Sequence, residues 1–146
     1  MTEEQMADNT MITATQEKLR TILADRFDQH IDFGDGTFAI PYGSASVMLV
    51  VRPYTETDTI VELIANVASE ANITTDVMHW LLRKNAEIHL GGFGLIFDDT
   101  IVYSYAISGN TVTADSLEAA ITSVAVIADY YDDEIIRLAG GKREID

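Results

Sequence analysis

The run Val47-Met48-Leu49-Val50-Val51 is apolar without interruption, and its reading decides the fold. It predicts a strand over Ala45 to Pro53, rich in the β-branched residues that favour extended backbone. Successive side chains of a strand point to opposite faces, so Val47, Leu49 and Val51 share one face while Met48 and Val50 take the other. A following run, Thr59 to Ala68, repeats the pattern with Val61, Leu63 and Val67 against Ile60 and Ile64. Its opening, Ile60-Val61-Glu62-Leu63-Ile64, would also start a helix, but its β-branched content favours a strand. A sheet covered by helices on one side has polar residues on the other. These two strands are apolar on both faces. Either a partner covers the second face, or helices lie on both sides of the sheet.

Working outward, Thr37 to Tyr42 reads as a strand before this pair, and Asp32-Phe33-Gly34-Asp35-Gly36 as the turn before that. From Met11 the spacing is helical, with Ile12, Leu19, Ile22, Leu23 and Phe27 on one stripe and charged residues between. Asn72 or Thr74 caps a helix over about Asp76 to Asn85. A hairpin is expected next, Glu87 to Phe97 and Thr100 to Ile107, joined by Asp98-Asp99. The last helix is expected to start at Asp115, with Glu118 completing a capping box. It carries Leu117, Ala120, Ile121, Val124, Ala128, Tyr131, Ile135 and Leu138 to a stop at Gly140-Gly141. The order is α-β-β-β-α-β-β-α, an α+β fold with an antiparallel sheet and helices packed on it. Residues 1–10 read as a flexible N-terminal tail, 11–139 as a single α+β domain and 140–146 as a polar C-terminal tail.

Composition limits the function. The 146 residues carry 24 Asp plus Glu against 9 Lys plus Arg, a net charge of −15, which repels phosphate backbones and anionic membranes. No nucleic acid or membrane partner is expected. A hydrophobic fraction of 47% excludes a disordered acidic tail. The absence of cysteine excludes disulfides, thiolate catalysis and cysteine-ligated metal. The first residues lack the basic start and apolar run of a signal peptide, so a cytoplasmic location is expected.

Catalytic motifs are weak. His30, His79 and His89 have no metal-ligand spacing, so no metal site is expected. Leu90-Gly91-Gly92-Phe93-Gly94 has a strand rather than a helix after it, and so reads as a strand that packs closely rather than a phosphate loop. Asp98-Asp99 and Asp132-Asp133 read as solvated charge. No catalytic residue and no cofactor are assigned. Partner binding through surplus apolar surface is the functional signal that remains. Ala125, Val126 and Ile127 add to it by widening the apolar stripe of the last helix.

Two stretches carry a resemblance. Gly92-Phe93-Gly94-Leu95-Ile96-Phe97, leading into a strand, and the acidic-aromatic Ala128-Asp129-Tyr130-Tyr131-Asp132-Asp133-Glu134-Ile135 are similar to the bacterial YbjN family and the type III secretion chaperone-like (CesT-like) fold, over roughly Met11 to Leu138. The resemblance implies a small acidic homodimer without enzymatic activity, holding an extended client segment on apolar grooves and sheet edges, or a regulator of bacterial stress and sensory responses. Strand addition would supply backbone hydrogen bonds and apolar pockets the specificity. Met48, Val50, Ile60 and Ile64 are the candidate partner-binding residues of the second sheet face. Tyr103 and Tyr105 are further candidates, with a core role as their alternative. The competing expectations are a small-molecule-binding protein or enzyme with a cavity between sheet and helices, and a structural or regulatory homodimer without a client.

Overall fold

The computed structural model describes residues 9–143. Three helices and six strands follow in the order α1 (Asn9–Arg26), β1 (Ile31–Asp32), β2 (Phe38–Tyr42), β3 (Ala45–Pro53), β4 (Thr59–Ala68), α2 (Thr75–Glu87), β5 (Gly92–Leu95), β6 (Ile101–Ser108) and α3 (Ala114–Ala139). The strands form one sheet in the order β1-β2-β3-β4-β6-β5, and every pairing is antiparallel. The α+β fold expected from the sequence is the fold observed.

β3 and β4 form the centre, and their bounds are those the apolar runs predict. Their register sets Val47 opposite Ala65, Leu49 opposite Leu63 and Val51 opposite Val61. These residues are buried beneath Leu19, Ile22 and Leu23 of α1 and Leu117, Ile121, Val124, Ala128 and Ile135 of α3. α3 lies along β2, β3, β4 and β6, while α2 packs on β5 at the sheet's end. The core is therefore one layer between the helices and one face of the sheet.

Several local expectations need correction. α1 begins at Asn9, so residues 9 and 10 belong to the helix rather than to a tail; residues 1–8 of that expected tail lie outside the described residues. The two-residue strand β1 is not among the expected strands and overlaps the start of the expected turn at Asp32; it is held by Ile31 opposite Ala39. α2 continues through Glu87, because the Lys84–Glu87 pair and the Ile88 N–H bond to the Lys84 carbonyl complete its last turn. The strand expected from Glu87 is thereby cut to Gly92–Leu95. The α3 cap is Thr113 rather than Asp115. Thr113 Oγ1 accepts from the Ser116 N–H at 3.0 Å and the Thr113 N–H donates to Ser116 Oγ at 2.9 Å. Asp115 and Glu118 instead both bind Arg26 of α1.

Asp132 is also not solvated charge: it is 4% exposed. It borders the β2–β3 turn, where Asp129 Oδ1 accepts from the Ser44 N–H at 2.9 Å and the Ser44 hydroxyl at 2.7 Å. The hydroxyl also contacts Asp132. Hydrogen bonds from the Ser44 hydroxyl and then its N–H hold the Asp129 carboxyl below the usual carboxylate range. Gly43 is required here, because its φ is +55° and a Cβ would sit 2.5 Å from Asp129 Oδ1. Beyond Gly140, Lys142 pairs with Ser69 and Arg143 reaches Asp132 and Asp133. Residues 144–146 of the expected C-terminal tail lie outside the described residues.

Candidate functional site: the uncovered face of the sheet

Among the described residues, no helix covers the second face of the sheet. Its composition follows from the register. One row across it reads Ala39, Met48, Ile64, Ser104, the next Val50, Glu62, Ala106, and the third Arg52, Ile60, Ser108. Met48 is 37% exposed; Val50, Ile60 and Ile64 are half-buried, each shielded in part by its cross-strand neighbours. Arg52 Nε donates to Glu62 Oε2 at 3.0 Å. The face thus has an apolar cluster of Met48, Val50 and Ile64, with the Arg52–Glu62 ion pair between it and Ile60. A groove of about 320 Å³ lies at its β6 side, lined by Glu62, Ile64, Ser104, Tyr105 and Ala106.

The six sequence-derived candidates do not form one surface. Met48, Val50, Ile60 and Ile64 lie together on the uncovered face. Tyr103 and Tyr105 pair with Ala65 and Leu63, and so belong to the covered one. Tyr103 is fully buried, in the core position given above as the alternative to a contact role. Its hydroxyl donates to the Leu90 carbonyl at 2.7 Å, and its ring meets Phe93 edge-on with centroids 4.9 Å apart. Burial first, then the nearby Tyr131, pushes its pKa up to about 12. Tyr105 is half-buried and packs against the core.

A second apolar region escaped sequence reading. At the α2–β5 end, Met78, Leu82, Leu95 and Ile96 are exposed, and Phe97 is 98% exposed just past its strand. A groove of about 210 Å³ runs between α2 and β5 there. Leu82 lying off the Val77–Leu81 stripe of its helix was the available signal. Beneath this region Trp80, Phe93, Tyr103 and Tyr131 form a chain of tilted and edge-on rings, with Lys84 Nζ 5.6 Å from the Trp80 ring centroid and 5.5 Å from that of Tyr131.

No group of three or more His, Asp or Glu side chains that could hold a metal ion occurs among the described residues. His79, within α2, and His89, in the loop after it, are both exposed. None of the described helices is long and apolar enough to cross a membrane.

Comparison with known proteins follows the same lines. The sequence profile described as T3SS (YopN, CesT) and YbjN peptide-binding chaperone 1 matches residues 13–146. Among curated proteins, none is significantly similar in sequence. The fold is similar to that in the crystal structure of the ExsC–ExsE complex, at 14% identity and a TM-score of 0.64, covering 86% of this chain and 96% of that one. It is also similar to that in the HopA1–SchA chaperone–effector complex, at 12% identity and a TM-score of 0.65, covering 86% and 98%.

Proposed function

The chain belongs to the T3SS (YopN, CesT) and YbjN peptide-binding chaperone family, and on that premise we propose that it is a non-enzymatic, cytoplasmic bacterial protein that holds an extended client segment against the uncovered face of its sheet. One observation carries the reading: Met48, Val50 and Ile64 form an apolar cluster, with Ile60 beyond the Arg52–Glu62 pair, that the chain's own described helices leave uncovered. Isolated exposed apolar residues are ordinary on a protein surface, but a contiguous cluster marks an interaction site. Main-chain pairing at a sheet edge and side chains laid on the cluster would bind a client without requiring one sequence. The charge of −15 favours clients carrying Lys and Arg, and keeps an apolar surface in solution. The HopA1–SchA structure, a chaperone–effector complex of similar fold, is consistent with a protein client.

The protein is proposed to act as a homodimer. The exposed Leu82, Leu95 and Phe97 at the α2–β5 end support a contact between copies there, separate from the client face. The test is a crosslinked pull-down of the tagged protein from its own cytoplasm, with crosslinks mapped by mass spectrometry. One or two enriched proteins, linked through an extended segment to β3 and β4, are expected. Recovery of the chain's own second copy alone would favour a structural or regulatory homodimer without a client. Stabilisation by a single metabolite in a thermal screen would favour a small-molecule site.

A further inference from the structure

The grooves of this molecule differ in whether their polar groups are open to a ligand. The one on the uncovered face holds Glu62, already bonded to Arg52. Another, beside Trp80, carries both charges in Glu134 and Arg137. A third, along the first half of α1, holds Lys18, whose Nζ donates to the Gly109 carbonyl at 3.1 Å. The α2–β5 groove has no charged lining, but its one polar side chain is occupied. The Phe93 N–H donates to Asn85 Oδ1 at 2.7 Å, and Asn85 Nδ2 donates to the Phe93 carbonyl at 3.1 Å, so that carboxamide serves the outer edge of β5.

A cavity of about 350 Å³ between α3 and the α2–β5 loop is different. Its apolar walls are Ile88 and Leu90 of the loop and Val126 and Ile127 of α3, and its polar groups are His89, Thr122 and Ser123. Residues 122, 123, 126 and 127 share one face of α3, because helix neighbours three and four apart align. A serine or threonine inside a helix commonly turns its hydroxyl back to the carbonyl four residues earlier. Thr15 and Thr21 of α1 do so, each at 3.1 Å. Among the described residues, the side chains of Thr122, Ser123 and His89 have no hydrogen-bond partner. Three groups that can each donate and accept thus border one apolar cavity.

Charge narrows the occupant. The lining has no Asp, Glu, Lys or Arg, so a cationic ligand finds no counter-ion in it. An anionic ligand approaches against the field of a chain of net charge −15. An uncharged head is left, and the volume, at the lower end of small-molecule pockets, favours a short body. We propose that this cavity binds a small uncharged aliphatic molecule, its hydrocarbon against Ile88, Leu90, Val126 and Ile127 and its carbonyl or hydroxyl head on Thr122, Ser123 and His89. α3 lies on the covered side of the sheet, so a ligand here and a client on the Met48–Ile64 face do not compete. The proposal is independent of the client reading.

The probe is hexanamide, titrated into the isotope-labelled chain and followed by amide chemical shifts, with hexanoate and hexylammonium as its charged counterparts. Hexanamide should shift the amides of residues 88–90 and 122–127 saturably, and bind about fivefold or more tightly than either counterpart. Val126→Phe, at an exposed position, fills the cavity and should abolish the shifts with the cooperative melt retained. Thr122→Val with Ser123→Ala keeps the side-chain volumes, and should weaken hexanamide about tenfold and erase its advantage over the charged probes. Met48→Glu should leave its affinity unchanged. Client capture that persists in Val126→Phe while hexanamide binding is lost supports the separate site. Equal affinity for the three heads, shifts centred on Met48 and Ile64, or binding that survives Val126→Phe overturns it. So does a homodimer that hexanamide or Val126→Phe separates, since the cavity then belongs to a second copy. Loss of client capture in a folded Val126→Phe overturns it as well, by assigning the cavity to the client.

Discussion

The two faces of this sheet are made from the same residue types and meet different surroundings. Leu63 and Ile64 are neighbours in β4, both large and aliphatic, yet Leu63 is completely buried under the helices and Ile64 lies half-covered on the open side. Burial on the first face stabilises the fold. Apolar surface left on the second is free energy still available to an incoming chain, at roughly 25 cal/mol per Å² removed from water. A face that only met solvent would have the polar alternation usual in half-exposed sheets.

The largest effect expected from this contrast is on stability. Leu63→Ala leaves a cavity in the layer between β4 and α3 and should cost about 2–5 kcal/mol, whereas Ile64→Ala should cost about 1 kcal/mol. Urea unfolding of the two variants measures the difference, and equal losses would erase the distinction between the faces.

Tyr103 sharpens the contrast from the covered side. Tyr103→Phe should lose about 1 kcal/mol with the hydrogen bond to the Leu90 carbonyl. Because the folded pKa is raised from 10.0 to about 12, the folded state retains the phenol proton that the unfolded chain releases. This contribution is fully present below pH 10 and is lost as pH rises to about 12, so wild type should lose stability across that window and Tyr103→Phe should lose less. Parallel thermal melts from pH 9 upward check the sign.

A smaller effect belongs to the helix that covers the face. Thr113→Ala should cost about 1 kcal/mol by uncapping α3. Asp115→Ala, at an exposed and solvent-screened salt bridge with Arg26, should cost clearly less than the loss of the cap. Thermal unfolding of the pair distinguishes the observed cap from the one the sequence suggested.

How far the sequence reaches depends on how much of each feature is local. β3 and β4 are legible to the residue because both are long alternating runs whose β-branched content outweighs the helical period that the opening of β4 also allows. The glycine stop of α3 is legible for the same kind of reason, since Gly140 and Gly141 follow directly on a sustained helical stripe. The cap of that helix is not, because Thr113-Ser116 and Asp115-Glu118 both satisfy the spacing and only the position of Arg26 separates them. The two-residue β1 exists through its pairing with β2 and has no pattern of its own. Asp132 is buried by the turn at Gly43-Ser44, some ninety residues earlier in the chain, which no window around Asp132 contains. For the site, the alternation that put Met48, Val50, Ile60 and Ile64 on one face was fully legible. Alternation within β6 alone did not say which face Tyr103 and Tyr105 shared; the register with β4 does. The Asn85 bond to the β5 edge depends on where α2 docks, and neither segment announces it.

The most direct measurement is client capture by the double variant Met48→Glu with Ile64→Glu, which places two carboxylates opposite each other on the uncovered face. The predicted result is a folded protein, with a wild-type circular dichroism spectrum and cooperative melt, that no longer enriches the crosslinked clients of the wild type. A variant that unfolds would assign these positions to the core, and one that captures clients unchanged would place binding elsewhere on the chain; either result contradicts the account.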